Sequence, residues 1–131
     1  PIKDLMYWCS KRFNLSVETN GSYLIWPING MWSTDVKCPS SENEKYNHYD
    51  NLKLLGKNDQ AKFVIQTRKD FDFACEIVKS KLFLTNVIFQ PVWKALPLST
   101  LFEWVLEDKD LNVRIGTQLH KIAFPRRKRG V

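Results

Sequence analysis

The sequence predicts an α/β fold in which parallel strands alternate with helices. Two observations lead to this prediction. Five short segments are rich in β-branched and aromatic residues, and segments with the spacing of amphipathic helices lie between most of them. The connections are short enough for right-handed βαβ units, so we expect a parallel sheet or a portion of a β/α barrel.

The first half of the chain contributes two predicted helices and two predicted strands. The helices cover residues 1–13 and 46–55, and the strands cover residues 15–19 and 31–37. Asn20 and Gly21 give a turn signal after the first strand, and Gly56 is a typical helix stop. Pro27 interrupts residues 23–30, which we interpret as an irregular apolar connection.

The second half contributes three more strands and two more helices. The strands cover residues 61–66, 86–91 and 113–121, and the helices run to about residue 81 and from Pro97 onward. Thr67 and Asp70 are the candidate caps of the first helix, since their side chains can accept backbone hydrogen bonds. The last strand alternates Val113 and Ile115 with polar residues and ends in a polar, ionisable run.

Length and composition fit one domain over residues 1–131. A chain of this length can bury a hydrophobic core, and its hydrophobic content of 44% is ordinary for a globular protein. No apolar run approaches the ~20 residues of a membrane span, and no secretory signal opens the chain, so we expect a cytoplasmic protein. Because the first residue is Pro1, we expect a processed or truncated product.

Polar side chains follow the ends of the five predicted strands. These ends are Glu18–Gly21, Asp35–Lys37, Gln66–Arg68, Gln90–Val92 and Gln118–Lys121. The carboxyl ends of parallel strands meet at one edge of a sheet, where α/β proteins bind ligands. Lysine can bind a carboxylate, and Asp35 or backbone carbonyls can bind an ammonium group, so the edge suits a zwitterion such as an amino acid. The alternative is that strand ends are polar because they meet water.

The three cysteines, Cys9, Cys38 and Cys75, are widely spaced. An odd number cannot form a complete disulfide framework, and no CxxC or other zinc-like spacing is present. We expect buried free thiols in a reducing compartment. No motif within these residues can hold a metal cluster.

The net charge of +6 is concentrated at the end of the chain, because Arg126, Arg127, Lys128 and Arg129 account for four of these charges. We interpret residues 125–131 as a solvated basic tail, and we do not expect nucleic acid as a partner. The alternative is a non-catalytic module that binds acidic partners through this tail.

Six motifs in a fixed order carry a resemblance to a known family. They are ETNG at 18–21, DVKCPSS at 35–41, AKFVI at 61–65, QPV at 90–92, QLHK at 118–121 and RGV at 129–131. Over essentially its whole length, the chain resembles the carboxyl-terminal portion of 7-carboxy-7-deazaguanine synthase, a radical S-adenosylmethionine (SAM) enzyme of queuosine biosynthesis. Single motifs also resemble glycyl-radical activating enzymes, which are the alternative within enzymes.

The resemblance implies a lyase that contracts 6-carboxy-5,6,7,8-tetrahydropterin to 7-carboxy-7-deazaguanine with release of ammonia. Such enzymes are partial β/α barrels of the radical SAM type and homodimers. They bind SAM, a 4Fe-4S cluster on a CxxxCxxC-type loop, and magnesium.

The resemblance also implies roles for individual residues. Those expected to line SAM are Gly21, Asp35, Val36, Lys37, Gln90, Pro91, Val92 and Trp93. Those expected to contact the pterin are Thr19, His120 and the carboxylate of Val131, with Glu18, Gln118 and Lys121 in support. No residue of this chain is assigned to a metal.

The chain departs from the family pattern at two turns. Glu42 stands where the family often has glycine, and Trp93-Lys94 stand where it often has His-Gly. The cysteine loop and a GGEP motif, which the family carries upstream of Pro1, are absent from this sequence. We therefore expect the isolated chain to be inactive. We also expect the first barrel strands to be missing, which would expose the strand at Leu15 as an edge that invites self-association.

Overall fold

The structure is a computed structural model that describes residues 2–80 and 85–125. Its strands are β1 (Leu15–Thr19), β2 (Gly30–Val36), β3 (Gln60–Ile65), β4 (Asn86–Pro91) and β5 (Arg114–Ile115). Its helices are α1 (Ile2–Ser10), α2 (Asp50–Leu54), α3 (Arg68–Lys79), α4 (Leu98–Glu107) and α5 (Leu119–Ala123). None of the described helices is long and apolar enough to cross a membrane.

The five strands form one parallel sheet in the order β1-β2-β3-β4-β5. This confirms the predicted α/β class. The sheet of the described residues is open, because β1 pairs only with β2 and β5 pairs only with β4. Closure into a barrel is therefore not a feature of this part of the chain, and β1 is an edge strand here.

The two faces of the sheet differ in burial. Ala61, Phe63 and Ile65 of β3 are completely buried, whereas the alternate residues of the same strand are half-buried. Phe71 of α3 packs edge-on against Phe89 of β4, with ring centroids 5.8 Å apart. Helix α3 thus packs on one face, which we call the helix-side face, whereas the other, the open face, is only half-buried.

The predicted helix after β3 is confirmed, and its start shows how local sequence fixes it. Thr67 is the N-cap residue, and its side chain accepts a hydrogen bond from the backbone N–H of Asp70. The Asp70 carboxylate in turn accepts one from the N–H of Thr67. This reciprocal capping box satisfies backbone donors that a helix N-terminus otherwise leaves unpaired.

The last predicted strand is mostly wrong. Only Arg114 and Ile115 form a strand, and Leu119–Ala123 is helical, so the QLHK run begins a helix instead of ending a strand. After the N–H of Gly116 bonds to the carbonyl of Phe89, no further pairing with β4 is described. The run that follows, QLHKIA at 118–123, includes the good helix formers glutamine, leucine, lysine and alanine, which favours α5 over a longer strand.

Two predicted elements in the first half are also shorter. The helix predicted over residues 46–55 is reduced to α2, which follows a 3-10 turn at Glu44–Tyr46. The helix predicted over residues 1–13 ends at Ser10. No described helix lies between β1 and β2, so the alternation of strands and helices begins only after β2.

Both turns at which the chain departs from the family pattern have left-handed backbones. Glu42 has φ of 56° and Lys94 has φ of 65°. The left-handed conformation costs an L-residue roughly 1–2 kcal/mol, a cost that glycine does not incur. Glycine thus suits these positions for a local backbone reason.

We expect Glu42→Gly and Lys94→Gly each to stabilise the fold by about 0.5–1 kcal/mol, because the relief of strain exceeds the greater chain entropy of glycine. Urea unfolding of the variants measures this. Glu42→Ala is the control, since alanine retains the strain and should give no gain. Destabilisation by either glycine variant would contradict the explanation.

Candidate functional site

The carboxyl ends of the strands gather at one edge of the sheet, which we call the carboxyl edge. The loop after β1, the end of β2, the β3–α3 junction and the end of β4 meet there, as the parallel topology requires. The predicted SAM residues fall on these segments. The sequence therefore placed most of its site candidates on one edge, and the side-chain contacts show which of them meet.

Gly21 lies directly against β2. Its φ of 73° is left-handed, and a Cβ at this position would sit 2.5 Å from the backbone oxygen of Asp35. The carbonyl of Gly21 accepts hydrogen bonds from the backbone N–H of His48 and from the Asn51 amide, at 3.0 and 3.2 Å. Gly21 and Asp35, both predicted to line SAM, are therefore in contact, and only glycine fits between them.

Asn51 fixes the loop that carries Gly21, and sequence reasoning missed it. Its side chain is 1% exposed. It accepts a hydrogen bond from the N–H of Ile25 at 2.9 Å and donates to the carbonyl of Tyr23 at 2.9 Å, in addition to its bond to Gly21. Its partners lie 26 to 30 residues away, so no local pattern could reveal this role.

Asp35 is held by two lysines on the open face. The Lys37 ammonium donates to Oδ2 at 3.0 Å, and the Lys62 ammonium lies 3.1 Å from Oδ1. The sequence suggested Asp35 as a partner for a ligand's ammonium group, but in the structure its carboxylate is already paired. Lys62 was not among the predicted site residues, although the register of β2 and β3 places it beside Asp35.

The backbone at the end of β2 is anchored by a second asparagine. The Asn47 side chain accepts from the N–H of Lys37 and donates to its carbonyl, both at 2.8 Å. Val36, between Asp35 and Lys37, is 4% exposed and its side chain belongs to the core. Val36 can therefore contact a ligand at the carboxyl edge only through its backbone.

Asp70 ties two loops of the carboxyl edge together. Its completely buried carboxylate accepts hydrogen bonds from the backbone N–H groups of Ser40, Gln66 and Thr67, at 2.9, 2.9 and 3.1 Å. Burial alone would raise the pKa of Asp70, but the hydrogen bonds outweigh it and hold the pKa below its ordinary value. Asp70 was predicted as a helix cap, and the structure shows in addition that its carboxylate accepts a long-range hydrogen bond from Ser40.

A cavity of about 280 Å³ lies at the end of β4. Pro91 and Trp93 line it together with Gln118, which precedes α5. The Oε1 atom of Gln118 is buried and has no hydrogen-bond partner among the described residues. The Trp93 indole, as part of the lining, makes the cavity chemically suited to a ligand that carries a flat ring.

The other residues at the end of β4 serve the fold as well. Gln90 lies on the open face and is half-buried. The backbone N–H of Val92 donates to the carbonyl of Ile65 at 2.8 Å, which extends the pairing of β3 and β4 by one bond. The Val92 carbonyl accepts from Ala95 and Leu96, both at 3.1 Å, and so directs the chain into the turn that contains Lys94.

The predicted substrate residues are more dispersed. Thr19 ends β1, and its hydroxyl accepts from the N–H of Gly21 at 3.3 Å. Glu18 is exposed on β1, His120 is exposed in the first turn of α5, and Lys121 is half-buried beside it. Val131, like residues 126–130 before it, lies outside the described residues.

The described residues do not offer a site for an iron-sulfur cluster. No group of three or more His, Cys, Asp or Glu side chains is placed to hold a metal ion in residues 2–80 and 85–125. Burial, reinforced by Asp70, raises the pKa of the Cys38 thiol to about 12, and burial raises that of Cys75 to about 11. Cluster ligands are thiolates, so these thiols are unsuited to the role.

Comparison with curated proteins identifies relatives over most of the chain. The chain is 32% identical over 126 residues to the 7-carboxy-7-deazaguanine synthase of Clostridium acetobutylicum. This alignment covers 89% of the chain and 56% of the relative. With the synthase of Koribacter versatilis it shares 32% identity over 136 residues, 91% of this chain and 60% of the relative. With the synthase of Thermoplasma acidophilum it shares 33% identity over 117 residues, which is 85% of this chain and 54% of the relative.

The chain is a homologue of the 7-carboxy-7-deazaguanine synthases. The resemblance that the ordered motifs indicated is thereby confirmed, and it is to an enzyme family. The chain spans between about half and three fifths of the length of these relatives. No family profile and no solved structure matches it.

Proposed function

We propose that this chain provides the SAM-binding and substrate-binding part of a radical SAM lyase. The reaction is the contraction of 6-carboxy-5,6,7,8-tetrahydropterin to 7-carboxy-7-deazaguanine with release of ammonia, a step of 7-deazapurine and queuosine biosynthesis. The observation that carries this proposal is the homology to synthases of that name over 82–91% of the chain. The geometry of the carboxyl edge supports it, because Gly21, Asp35 and Lys37 meet there.

The residues of the carboxyl edge suit SAM as a ligand. Lys37 would bind its carboxylate, and Gly21, which lacks a side chain, would let it approach the backbone of β2 closely. Trp93 would stack on the adenine within the cavity. When bound, SAM would supply the means to remove a hydrogen atom from the substrate.

The pterin would bind next to this site. Thr19 would contact it through the hydroxyl at the end of β1, and His120 and the Val131 carboxylate would close on it from the other end of the chain. Glu18, Gln118 and Lys121 would support this arrangement with complementary charge and hydrogen bonds. Since His120 is exposed at the start of α5, it is accessible to such a ligand.

The 4Fe-4S cluster requires a set of ligands that residues 2–80 and 85–125 do not provide. We propose that a cysteine loop on polypeptide outside this sequence binds the cluster and that the same polypeptide adds strands beside β1, giving a partial β/α barrel. The open edge of β1 supports this, because unpaired strand edges are normally covered. Magnesium and the homodimer remain parts of the proposal for which no residue of this chain is assigned.

The proposal predicts that reductive cleavage of SAM requires the cluster-binding polypeptide. The isolated chain, given SAM, dithionite, iron and sulfide, should form no 5′-deoxyadenosine, because its described thiols do not assemble a cluster site. The same chain joined to the cysteine loop of a homologous synthase should form it. Chromatographic detection of 5′-deoxyadenosine is the measurement, and turnover by the isolated chain would contradict the proposal.

The two alternatives receive no support from the described residues. The relatives above are deazaguanine synthases, which favours ring contraction over glycyl-radical activation. The basic run at 126–129, on which a non-catalytic binding module depends, lies outside the described residues.

A further inference from the structure

Lys62 stands in the middle of the sheet, on the open face. The parallel register pairs Asp35 of β2 with Lys62 of β3, so the two side chains are neighbours across the strands. The Lys62 ammonium lies 3.1 Å from Asp35 Oδ1, and the side chain is only 22% exposed. Its other strand neighbour is Ile88 of β4, an apolar residue that offers no competing acceptor.

The cluster of Asp35, Lys37 and Lys62 carries one negative and two positive charges. The two ammonium groups take different oxygens of the carboxylate, Lys37 on Oδ2 and Lys62 on Oδ1. One positive charge is therefore in excess on a half-buried surface, where charge interactions are stronger than in water. Such a cluster favours an added anionic group.

The two lysines are not equivalent. Lys37 follows the end of β2 at the carboxyl edge, is 30% exposed, and has its backbone fixed by Asn47. Lys62 lies within β3, farther from that edge and more buried. Lys37 is thus the one positioned to reach a ligand, whereas Lys62 reaches Asp35.

We propose that Lys62 is a positioning residue for the carboxylate group of SAM. Lys62 keeps Asp35 paired and oriented, so that the Lys37 ammonium can turn to the ligand without leaving a half-buried carboxylate uncompensated. The inference rests on the proposed function, since it assumes that Lys37 binds SAM. It assigns a role to a residue that acts through Asp35 and not on the ligand itself.

The test compares SAM with 5′-methylthioadenosine, which has the same adenosine but no amino-acid group. Dissociation constants are measured by equilibrium dialysis on this chain joined to the cysteine loop of a homologous synthase and loaded with the cluster. Lys62→Met should weaken SAM binding about tenfold, the effect of losing the one charge-assisted contact between Lys37 and the SAM carboxylate. The dissociation constant of 5′-methylthioadenosine should stay within about twofold of the wild-type value. Lys62→Arg should bind SAM within about threefold of the wild type, because it retains the charge.

Two further variants separate positioning from damage to the fold. In an Asp35→Asn background, Lys62→Met should raise the dissociation constant of SAM by less than about a further twofold, because the effects of residues that act as one unit are not additive. Lys53→Met, at an exposed lysine paired with Asp50, is the matched control and should change nothing. If Lys62→Met does not fold, Lys62→Gln replaces it with the same expected loss.

The outcomes distinguish the inference from the function on which it rests. If the wild type binds neither ligand, or binds both equally, the proposed SAM site is wrong, and the inference is overturned with it. If the wild type prefers SAM and Lys62→Met keeps that preference, the inference alone is overturned. Equal weakening of both ligands by Lys62→Met also overturns it, since that shows general damage.

Discussion

Replacing Gly21 with alanine is expected to destabilise the fold by about 3 kcal/mol, the sum of a left-handed backbone cost and an overpacking cost. The φ of 73° disfavours any L-residue, and the new Cβ would lie 2.5 Å from the backbone oxygen of Asp35. Because that oxygen belongs to β2 and cannot rotate away, the loop after β1 must move. The same movement should abolish the proposed binding of SAM at the carboxyl edge.

Urea unfolding followed by circular dichroism measures the first effect, and equilibrium dialysis with SAM measures the second. Gly56→Ala is the matched control, because its nearest atom would be 3.7 Å from the new Cβ and its backbone is not left-handed. The control should change stability by less than about 1 kcal/mol. Equal effects of the two substitutions would refute the assignment of a special role to Gly21.

Replacing Asp70 with asparagine is expected to lower the free energy of unfolding by about 2–4 kcal/mol at neutral pH. The buried carboxylate accepts three backbone N–H groups, whereas an asparagine amide nitrogen cannot accept and would face a donor. The loss should loosen both the Ser40 loop and the start of α3. These segments border the carboxyl edge.

The effect of Asp70 also has a predicted pH dependence. Its pKa is lower in the folded than in the unfolded protein, so its ionised form stabilises the fold above the unfolded pKa of about 4. That contribution is lost as the pH falls through the folded pKa. The difference in stability between wild type and Asp70→Asn should therefore be constant from pH 5 to 7 and shrink below about pH 4.

Unfolding midpoints across this pH range provide the measurement. Asp72→Asn is the control, because Asp72 lies on the same helix but is 57% exposed and pairs only at the surface with Arg68. It should cost less than about 1 kcal/mol at any pH. A difference between wild type and Asp70→Asn that grows toward acid pH would show that the carboxylate is not stabilised as described.

Strands β1 to β4 and helices α3 and α4 were predictable because their signals are local. The β-branched and aromatic residues of β3 and β4 and the capping residues of α3 are contained within a few neighbouring positions. The collection of strand ends at one edge followed from the parallel topology. Gly21 was predicted from the turn signal, although its contact with Asp35 required the fold.

The side chains that support the site were not predictable, because their partners are distant in sequence. Asn51 bonds to residues 26 to 30 positions away, and Asp70 bonds to Ser40, 30 positions away. Lys62 meets Asp35 only through the register of two strands. The predicted end of β5 was wrong for a different reason, since alternation in residues 113–118 does not reveal where pairing with β4 stops.

The central claim is that this chain serves a synthase that contracts a pterin ring. The most direct measurement uses this chain joined to the cysteine loop of a homologous synthase and loaded with the cluster. It is the mass of the product that this protein forms from 6-carboxy-5,6,7,8-tetrahydropterin and SAM. The account predicts 7-carboxy-7-deazaguanine together with an equal amount of ammonia. Formation of 5′-deoxyadenosine with the pterin unchanged would contradict the account, and a radical on an added protein substrate would point to glycyl-radical activation instead.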